Sequence, residues 1–270
     1  MWYLKRPRLY PEFFRIATAI ALQRAEPADT RKEAVAWCAA RAVGVPQAIA
    51  RVTGSPMPES VRTAFKDALS AARQAAARCP LKMGGAADLD LLYWLSEYLQ
   101  AKSVIETGVG YGWSSLIILL SLARRENGLL VSTDRPYPER NNDAYVGCVV
   151  PAGLCSRWRI IRYADREAIP RALRRLRTID VCHYDSDKHY EAKRWAFARL
   201  WEALRPGGYF IADDIEDDLA FHDFCRAIGA EPIVAQTSVD FSTTLDGPVP
   251  FIRSIYDVGV KYTGILVKRR

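Results

Sequence analysis

The sequence predicts an α/β protein built on a doubly wound, mostly parallel, seven-stranded sheet with a helical extension at its N-terminus. From Ser103 onward, short apolar runs alternate with longer segments of helical composition, a pattern typical of a parallel sheet covered on both faces. The first run leads into a turn with three glycines, and several later runs end in aspartates. Half of the residues are hydrophobic, which suits one domain of ordinary size plus an extension.

The N-terminal residues have helical composition without clear strands. Thr30 to Val43 and Glu59 to Arg78 are predicted to be helices, and Gly/Pro clusters mark the turns between them. We expect residues 1–80 to form a helical extension that covers the active site or makes an oligomer contact. Residues 81–270 are expected to form the main domain, with a helix from Leu89 to Gln100 leading into the first strand.

The strands of the main domain are predicted from apolar runs and from the turns that bound them. They are Ser103–Ile105, Gly128–Thr133, Trp158–Arg162, Ile179–Tyr184, Tyr209–Ala212, a run near Pro232–Ala235, and Tyr262–Lys268. The last is expected to be an antiparallel edge strand. The long connections 134–156 and 238–260 are expected to line a substrate pocket.

A glycine turn follows the first predicted strand and precedes an apolar helix. Its glycines are Gly108, Gly110 and Gly112, and Glu106 stands two residues before the first of them. Glycine lets the backbone turn tightly and approach a ligand where any Cβ would clash. The spacing is G-x-G-x-G, whereas dinucleotide binders use G-x-G-x-x-G. An NAD-dependent dehydrogenase is therefore a poor fit.

Acidic residues end the next two strands. Asp134 is placed to accept hydrogen bonds from ribose hydroxyls, because ligands of open parallel sheets lie beyond the carboxyl ends of the strands. Asp165 follows the third strand and is placed to accept from an adenine amine. Together with the glycine turn they describe a pocket for an adenosine ligand without a phosphate. The alternatives are that Asp134 caps a turn and that Asp165 begins a helix.

Further carboxylates follow the next two strands. Asp185 ends the fourth strand, and Asp213 and Asp214 end the fifth, so all three are expected at one edge of adjacent parallel strands. Carboxylates gathered there without enough cationic partners repel one another, and a hard divalent cation such as Mg²⁺ resolves that repulsion. The alternative is that Asp213 and Asp214 cap the following helix, whose start is acidic in any case.

These motifs resemble those of a known family. The glycine turn with Asp134 and Asp165 resembles the class I S-adenosylmethionine-dependent methyltransferases. The motifs D-x-D-x-x-Y-E at 185–191 and Pro-Gly-Gly…Asp-Asp-Ile at 206–215 resemble the macrocin-type metal-dependent O-methyltransferases of the methyltransferase-24 group. The resemblance covers residues 80–235. It implies S-adenosylmethionine and Mg²⁺ as cofactors, and methylation of a small-molecule hydroxyl on a sugar or another natural product.

The resemblance also implies roles for individual residues. The cofactor-binding residues are Glu106, through the cofactor's amino group, and Gly108, Gly110, Gly112, Ser114, Asp134, Asp165 and Asp185. The Mg²⁺ ligands are Asp185, Asp213 and Asp214. The candidate general bases are Asp187, Lys188 and His189. Neighbouring carboxylates oppose the lowered pKa that a lysine base needs, so Asp187 is preferred.

The charge of the chain leaves another class of acceptor open. The net charge is +7, and many arginines lie between Arg157 and Arg177, as in proteins that bind RNA or other anionic partners. The spacing of Arg171, Arg174 and Arg175 instead fits a solvated helix face. A methyltransferase acting on RNA or protein, and a noncatalytic module that retains the fold, therefore remain as alternatives.

Cysteine usage and hydropathy bear on the compartment. The six cysteines are scattered, without the spacing of a zinc site or a disulfide framework, so a reducing cytoplasm is expected. No run approaches the ~18 apolar residues of a membrane span, so no transmembrane segment is expected.

Overall fold

The computed structural model describes residues 3–21, 30–136, 141–238 and 260–269. The helices are α1 (Tyr10–Ala21), α2 (Arg31–Ala39), α3 (Val45–Thr53), α4 (Val61–Ala64), α5 (Lys66–Ala77), α6 (Leu89–Tyr98), α7 (Trp113–Leu122), α8 (Asp165–Leu176), α9 (Tyr190–Ala203) and α10 (Ala220–Ile228). The strands are β1 (Ala42–Gly44), β2 (Ser103–Thr107), β3 (Leu129–Thr133), β4 (Trp158–Ile161), β5 (Ile179–Tyr184), β6 (Leu204–Ala212), β7 (Ile233–Ser238) and β8 (Val260–Val267). The predicted pocket segment 238–260 lies almost entirely outside the described residues.

The described strands form one sheet in the order β1-β7-β8-β6-β5-β2-β3-β4. Strand β8 is antiparallel to β6 and β7, and the other neighbouring pairs are parallel. Helices α6 and α7 pack on one face, and α8, α9 and α10 pack on the other. The doubly wound α/β class predicted from the sequence is confirmed.

The number of strands differs from the prediction. The sheet has eight strands in the described residues, because residues 42–44 of the N-terminal extension pair in parallel with β7. Val43 was expected in a helix, but α2 ends at Ala39 and the chain becomes extended before the next helix begins at Val45. A three-residue strand is too short for its periodicity to be read from sequence, and its pairing with β7 is a tertiary effect.

The position of the last strand also differs. The segment predicted as an antiparallel edge strand is indeed antiparallel, but β8 lies inside the sheet between β6 and β7. Its residues 262–266 are all buried, as expected for a strand covered on both faces. Chain order alone does not indicate which strands become neighbours, so the edge position was wrong.

The sheet has its switch point beside β2. The chain runs outward from β2 through β3 to β4 and then crosses to β5 on the other side of β2. In open α/β sheets the ligand binds outside the carboxyl ends of the strands at such a point. The topology therefore places a cleft at the ends of β2, β3, β5 and β6.

The described residues also bear on membrane association. Within them, no helix has both the length and the apolar character needed to cross a membrane. The six cysteines are free thiols.

Candidate active site

The residues that follow four neighbouring strands leave the sheet side by side. Their amides continue the hydrogen-bond ladder: Gly108 N to Thr133 O at 2.8 Å, Asp134 N to Ile161 O at 3.1 Å, Asp185 N to Thr107 O at 2.9 Å and Asp213 N to Tyr184 O at 3.0 Å. The predicted site residues therefore start from one edge of the sheet. We call residues 108–112 with Asp134 and Asp165 the glycine-loop half of the cleft. The carboxylate half comprises Asp185, Asp187, Lys188, Asp213, Asp214 and Lys261.

The glycine loop needs its glycines for steric reasons. Gly108, Gly110 and Gly112 all have positive φ, which side-chain-bearing residues rarely adopt. A Cβ on Gly108 would lie 2.1 Å from the carbonyl oxygen of Asp185, and one on Gly112 would lie 2.9 Å from Gly147 Cα. The loop is therefore packed directly against the end of β5. Ser114 follows in the first turn of α7 and is buried.

Asp134 holds the glycine loop in place. Its Oδ2 accepts hydrogen bonds from Val109 N at 3.0 Å and Gly110 N at 3.1 Å, and its Oδ1 accepts from Arg162. The side chain is almost fully buried, and burial raises its pKa although Arg162 and the two amides lower it. That Asp134 also accepts hydrogen bonds from ribose hydroxyls remains a prediction. The structure places the carboxylate beside the loop that such a cofactor would contact.

Asp165 is the first residue of α8 and reaches toward the end of β5. Its Oδ2 accepts from Ser186 Oγ at 2.5 Å and from Tyr184 Oη at 3.4 Å. Burial raises the pKa of Asp165 to about 6. It both begins a helix, as the alternative interpretation held, and lies beside the segment that follows β5.

Glu106 lies in the interior rather than on the surface of the cleft. Its side chain has no exposed surface, and its Oε2 accepts from Ser115 Oγ at 2.5 Å and Ser132 Oγ at 2.7 Å. Trp158 Nε1 donates to the same Ser132 hydroxyl at 2.8 Å. Glu106 thus belongs to a buried polar network, and its contact with the amino group of a cofactor remains a prediction.

Lys188 links two carboxylates of the other half. Its Nζ lies 2.6 Å from Asp185 Oδ1 and 2.6 Å from Asp214 Oδ2, while Lys261 Nζ lies 2.8 Å from Asp214 Oδ1. Burial and the neighbouring Asp214 raise the pKa of Asp185, although Lys188 lowers it. Burial also acts to raise the pKa of Asp214, but the two ammonium groups hold it well below its usual range.

Asp213 points away from these lysines. Its Oδ2 lies 3.0 Å from His183 Nε2, and its Oδ1 accepts from Thr263 Oγ1 at 2.6 Å. His183 is fully buried, and its Nδ1 lies 3.8 Å from Glu106 Oε1, too far for a hydrogen bond. Burial acts to lower the pKa of His183, but Asp213 and Glu106 raise it to about 10.

The other two candidate bases form a pair at the mouth of the cleft. Asp187 Oδ1 accepts from the backbone amide of His189 at 3.0 Å and lies 2.7 Å from His189 Nδ1. The His189 side chain is 68% exposed and that of Asp187 31%. Asp187 is therefore paired with a group that can exchange protons with solvent.

The three predicted metal ligands do not converge on one point. Asp185 and Asp214 share a lysine, whereas Asp213 is engaged by His183 and Thr263. Throughout the part of the chain that the structure describes, no group of three or more His, Cys, Asp or Glu side chains is arranged to hold a metal ion. This donor set does not fit the Mg²⁺ site that the resemblance implies, because ammonium groups lie where the cation was expected.

Comparison with known proteins finds a similarity that covers most of this cleft. Residues 105–215 match the family model described as a methyltransferase domain, and this range runs from β2 to just past β6. Over this range the chain is similar to S-adenosylmethionine-dependent methyltransferases. The matched range includes the glycine loop, Asp134, Asp165 and the four acids of the carboxylate half.

Solved structures share the fold of this chain. Cofactor-bound Rv0187 from MTB is 17% identical with a TM-score of 0.52, over 84% of this chain and 99% of that one. The O-methyltransferase TomG from Streptomyces achromogenes, involved in tomaymycin synthesis and solved with its cofactor, is 19% identical with a TM-score of 0.52. That alignment covers 77% of this chain and 96% of TomG. No curated protein sequence matches the chain.

The cleft also contains site residues that were not predicted from the sequence. Lys261 enters the carboxylate half because the antiparallel register pairs Ala212 with Gly264, so the residues after β6 and before Gly264 lie at the same edge. His183 lies buried within β5 and binds Asp213. Arg162, which binds Asp134, was counted only among the surface arginines. Lys261 lies directly before the predicted last strand, Tyr262–Lys268, and its position next to that strand is the sequence feature that could have indicated it.

Proposed function

We propose that the protein transfers the methyl group of S-adenosylmethionine to a hydroxyl oxygen of a small molecule. The observation that carries the proposal is the meeting of two halves at one edge of the sheet. A glycine loop with an adjacent buried acid lies on one side, and a cluster of carboxylates and lysines lies on the other. TomG, whose structure is similar to this chain, is an O-methyltransferase, which agrees with an oxygen acceptor.

The glycine-loop half is proposed to bind the cofactor. The loop carries backbone close to the cleft without side chains, and Asp134 fixes its amides. Asp165 is proposed to accept a hydrogen bond from the adenine amine, and Asp134 from the ribose. The segment around Gly84 packs beside Gly110, and Tyr111 Oη donates to Leu81 O at 2.9 Å, so this segment borders the glycine-loop half.

The chemistry at the acceptor is an in-line displacement. A carbon–oxygen bond forms as the carbon–sulfur bond of the sulfonium breaks, and the hydroxyl proton must leave. Asp187 is proposed to accept that proton, with His189 as the group that exchanges it with solvent. Lys188 is less suited as a base, because burial lowers its pKa less than Asp185 and Asp214 raise it.

A small-molecule acceptor is favoured over RNA because several arginines are engaged within the chain. Arg166 stacks on Trp195 with its guanidinium carbon 4.7 Å from the ring centroid, and Arg171 stacks on Tyr163 at 4.3 Å. Arg162 binds Asp134. These side chains are held against their own protein rather than presented as one stripe for a phosphate backbone.

The N-terminal extension is proposed to cover the cleft. Arg15 of α1 binds both carboxylate oxygens of Glu167, at 2.5 and 2.8 Å, and Glu12 binds Arg135 at 2.9 Å. Arg135 follows Asp134 directly and Glu167 lies two residues past Asp165, so α1 is tied to both cofactor-side segments. The separate extension 1–80, a homo-oligomer through its helices and a cytoplasmic location stay predictions.

Magnesium dependence also stays a prediction from the resemblance, and the proposed proton transfer to Asp187 does not require the metal. The geometry does not support it, since Asp213 is turned away and two lysines neutralise Asp185 and Asp214. Chelation of divalent cations is therefore an informative arm of any activity assay.

Calorimetric titration with S-adenosylhomocysteine tests the cofactor site first. We expect binding in the micromolar range. Methyl-labelled S-adenosylmethionine is then offered with a panel of sugars, phenols and catechols, and in separate arms with RNA and with unfolded protein, each with and without EDTA. Transfer to a small molecule supports the proposal, and transfer only to RNA or protein contradicts the acceptor class. Absence of cofactor binding would favour a noncatalytic module.

A further inference from the structure

Two acids of the carboxylate half, Asp185 and Asp214, are matched by two ammonium groups, those of Lys188 and Lys261. Both oxygens of Asp214 are bound, Oδ2 by Lys188 at 2.6 Å and Oδ1 by Lys261 at 2.8 Å, and Lys188 also binds Asp185. Asp214 is only 4% exposed, so its charge is compensated inside the protein. Two carboxylates and two ammonium groups sum to zero charge. The repulsion that would call for a divalent cation is absent.

Asp213, the third predicted Mg²⁺ ligand, is bound by groups other than the two lysines. Asp213 is bound by the His183 ring and by the Thr263 hydroxyl, and His183 lies between Asp213 and Glu106 in the interior. A metal ion bound by all three acids would have to compete with these contacts for the Asp213 oxygens. Removal of one partner from a buried charged pair leaves the other charge uncompensated, which is strongly unfavourable.

The backbone holds this arrangement in place. Asp214 has φ of +51°, a left-handed conformation that non-glycine residues seldom adopt. Lys193, which is 2% exposed, donates to the Asp214 carbonyl at 3.3 Å and pairs with Asp218 at 3.1 Å. The amide of Ile215 also donates to Tyr262 O at 3.4 Å, next to Lys261. These contacts of the backbone at Asp214 and Ile215 thus hold the Asp214 carboxylate toward the two lysines.

We propose that Lys188 and Lys261 take the place of the divalent cation in this site, and that Lys188 donates a hydrogen bond to the acceptor oxygen. An ammonium group has three donors, and Asp185 and Asp214 use two of those of Lys188. The third is available to the acceptor hydroxyl, since the Lys188 side chain is 44% exposed. Its positive charge stabilises the oxygen as the proton leaves and the methyl group arrives. This inference rests on the proposed methyl transfer for its chemistry.

The inference can be tested without any acceptor by measuring the binding of Mn²⁺ through the electron paramagnetic resonance signal of the free ion. The wild-type protein, with saturating S-adenosylhomocysteine, is compared with Lys188→Met/Lys261→Met and with the control Lys66→Met on the exposed start of α5. We expect no stoichiometric site in wild type or control. The double variant leaves Asp185 and Asp214 uncompensated and is expected to bind Mn²⁺ at least about tenfold more tightly.

Two results would overturn the inference. One is a stoichiometric Mn²⁺ site in the wild-type protein that Asp214→Asn removes. The other is a double variant that binds no better than wild type, because the lysines would then not occupy a cation position. Calorimetry with S-adenosylhomocysteine on every variant shows that the cofactor site is intact, and Lys261→Met alone replaces the double variant if that one does not fold. Loss of cofactor binding in wild type would contradict the proposed function instead, so the two failures are distinguishable.

Discussion

The two halves of the cleft stabilise their buried carboxylates in different ways. In the glycine-loop half, Asp134 is held largely by backbone amides only 24 and 25 residues away in the chain. In the carboxylate half, Asp214 and Asp213 also bind groups that are far away in the chain. Besides Lys188 and His183, 26 and 30 residues away, they bind Lys261 and Thr263, which lie 47 and 50 residues away. The first half is therefore a local motif, whereas the second is assembled by the sheet. We expect the first half to control cofactor affinity and the second to control turnover.

The largest expected effect comes from Gly108→Ala, which breaks the glycine-loop half. The new Cβ would lie 2.1 Å from Asp185 O, at a φ of +84° that already disfavours a side chain. The clashing atom belongs to the backbone and cannot move aside as a flexible side chain can. We therefore expect the free energy of unfolding to fall by about 3 kcal/mol or more, and the affinity for S-adenosylhomocysteine to fall at least about a hundredfold. Calorimetry and thermal unfolding measure both.

The matched control for that substitution is Gly153→Ala. Its Cβ would meet no atom within 4 Å, and the residue does not have a positive φ. We expect wild-type stability and affinity. An affinity of Gly108→Ala within about threefold of wild type would show that the loop does not contact the cofactor.

The comparison itself is tested by Asp134→Asn and Asp214→Asn. Asp134→Asn weakens the hold on the loop amides and on Arg162, so we expect S-adenosylhomocysteine affinity to fall about ten- to thirtyfold. Asp214→Asn leaves that affinity within about twofold but removes a charge from the lysine pair, and methyl transfer should fall at least about a hundredfold. Equal effects of the two substitutions on cofactor affinity would contradict the division into two halves.

The same contrast explains how much could be predicted from the sequence. The glycine spacing and the acids that end the strands are local features, and β2, β3 and β5 begin and end within a few residues of the predicted runs. Topology then brings Asp134, Gly108, Asp185 and Asp213 to one edge, as the rule for parallel strands requires.

The interactions within the carboxylate half could not be predicted in that way. The expectation of Mg²⁺ assumed that the acids lacked cationic partners, but Lys261 belongs to a strand whose neighbours are set by tertiary pairing. The orientation of Asp213 toward His183 likewise depends on which face of β5 is buried. Residue type and position along the chain were predictable, but side-chain direction and long-range charge compensation were not.

A smaller effect, on pH dependence, sharpens the role of Asp165. Burial raises its pKa from 3.8 to about 6 in the folded protein. Its stabilising contribution is therefore complete below pH 3.8 and is lost as the pH rises through about 6, because the ionised carboxylate is the form that burial disfavours. The ionised Asp165 carboxylate is the better acceptor for a hydrogen bond from the adenine amine. The affinity for S-adenosylhomocysteine should therefore rise several-fold from pH 5 to pH 7.

Asp165→Asn supplies the control for this pH dependence. The variant keeps an acceptor oxygen but has no titration, so its affinity should stay flat over the same range, and its stability should no longer fall between about pH 4 and pH 6. Calorimetry at a series of pH values, with chemical unfolding beside it, measures both slopes. If the wild type and the variant show the same affinity profile, Asp165 does not contact the cofactor.

The smallest expected effect is that of Arg15→Ala, which loosens α1 from the glycine-loop half. Arg15 donates to both carboxylate oxygens of Glu167. The Arg15 side chain is 38% exposed, so solvent weakens this ion pair. We expect a loss of stability below about 1 kcal/mol. Arg199→Ala, which removes an exposed pair with Glu202, serves as the matched control. If α1 covers the cofactor, Arg15→Ala should speed both hydrogen exchange in residues 10–21 and release of S-adenosylhomocysteine, whereas Arg199→Ala should change neither. Unchanged release with faster exchange would mean that α1 is tied to the cleft without closing it.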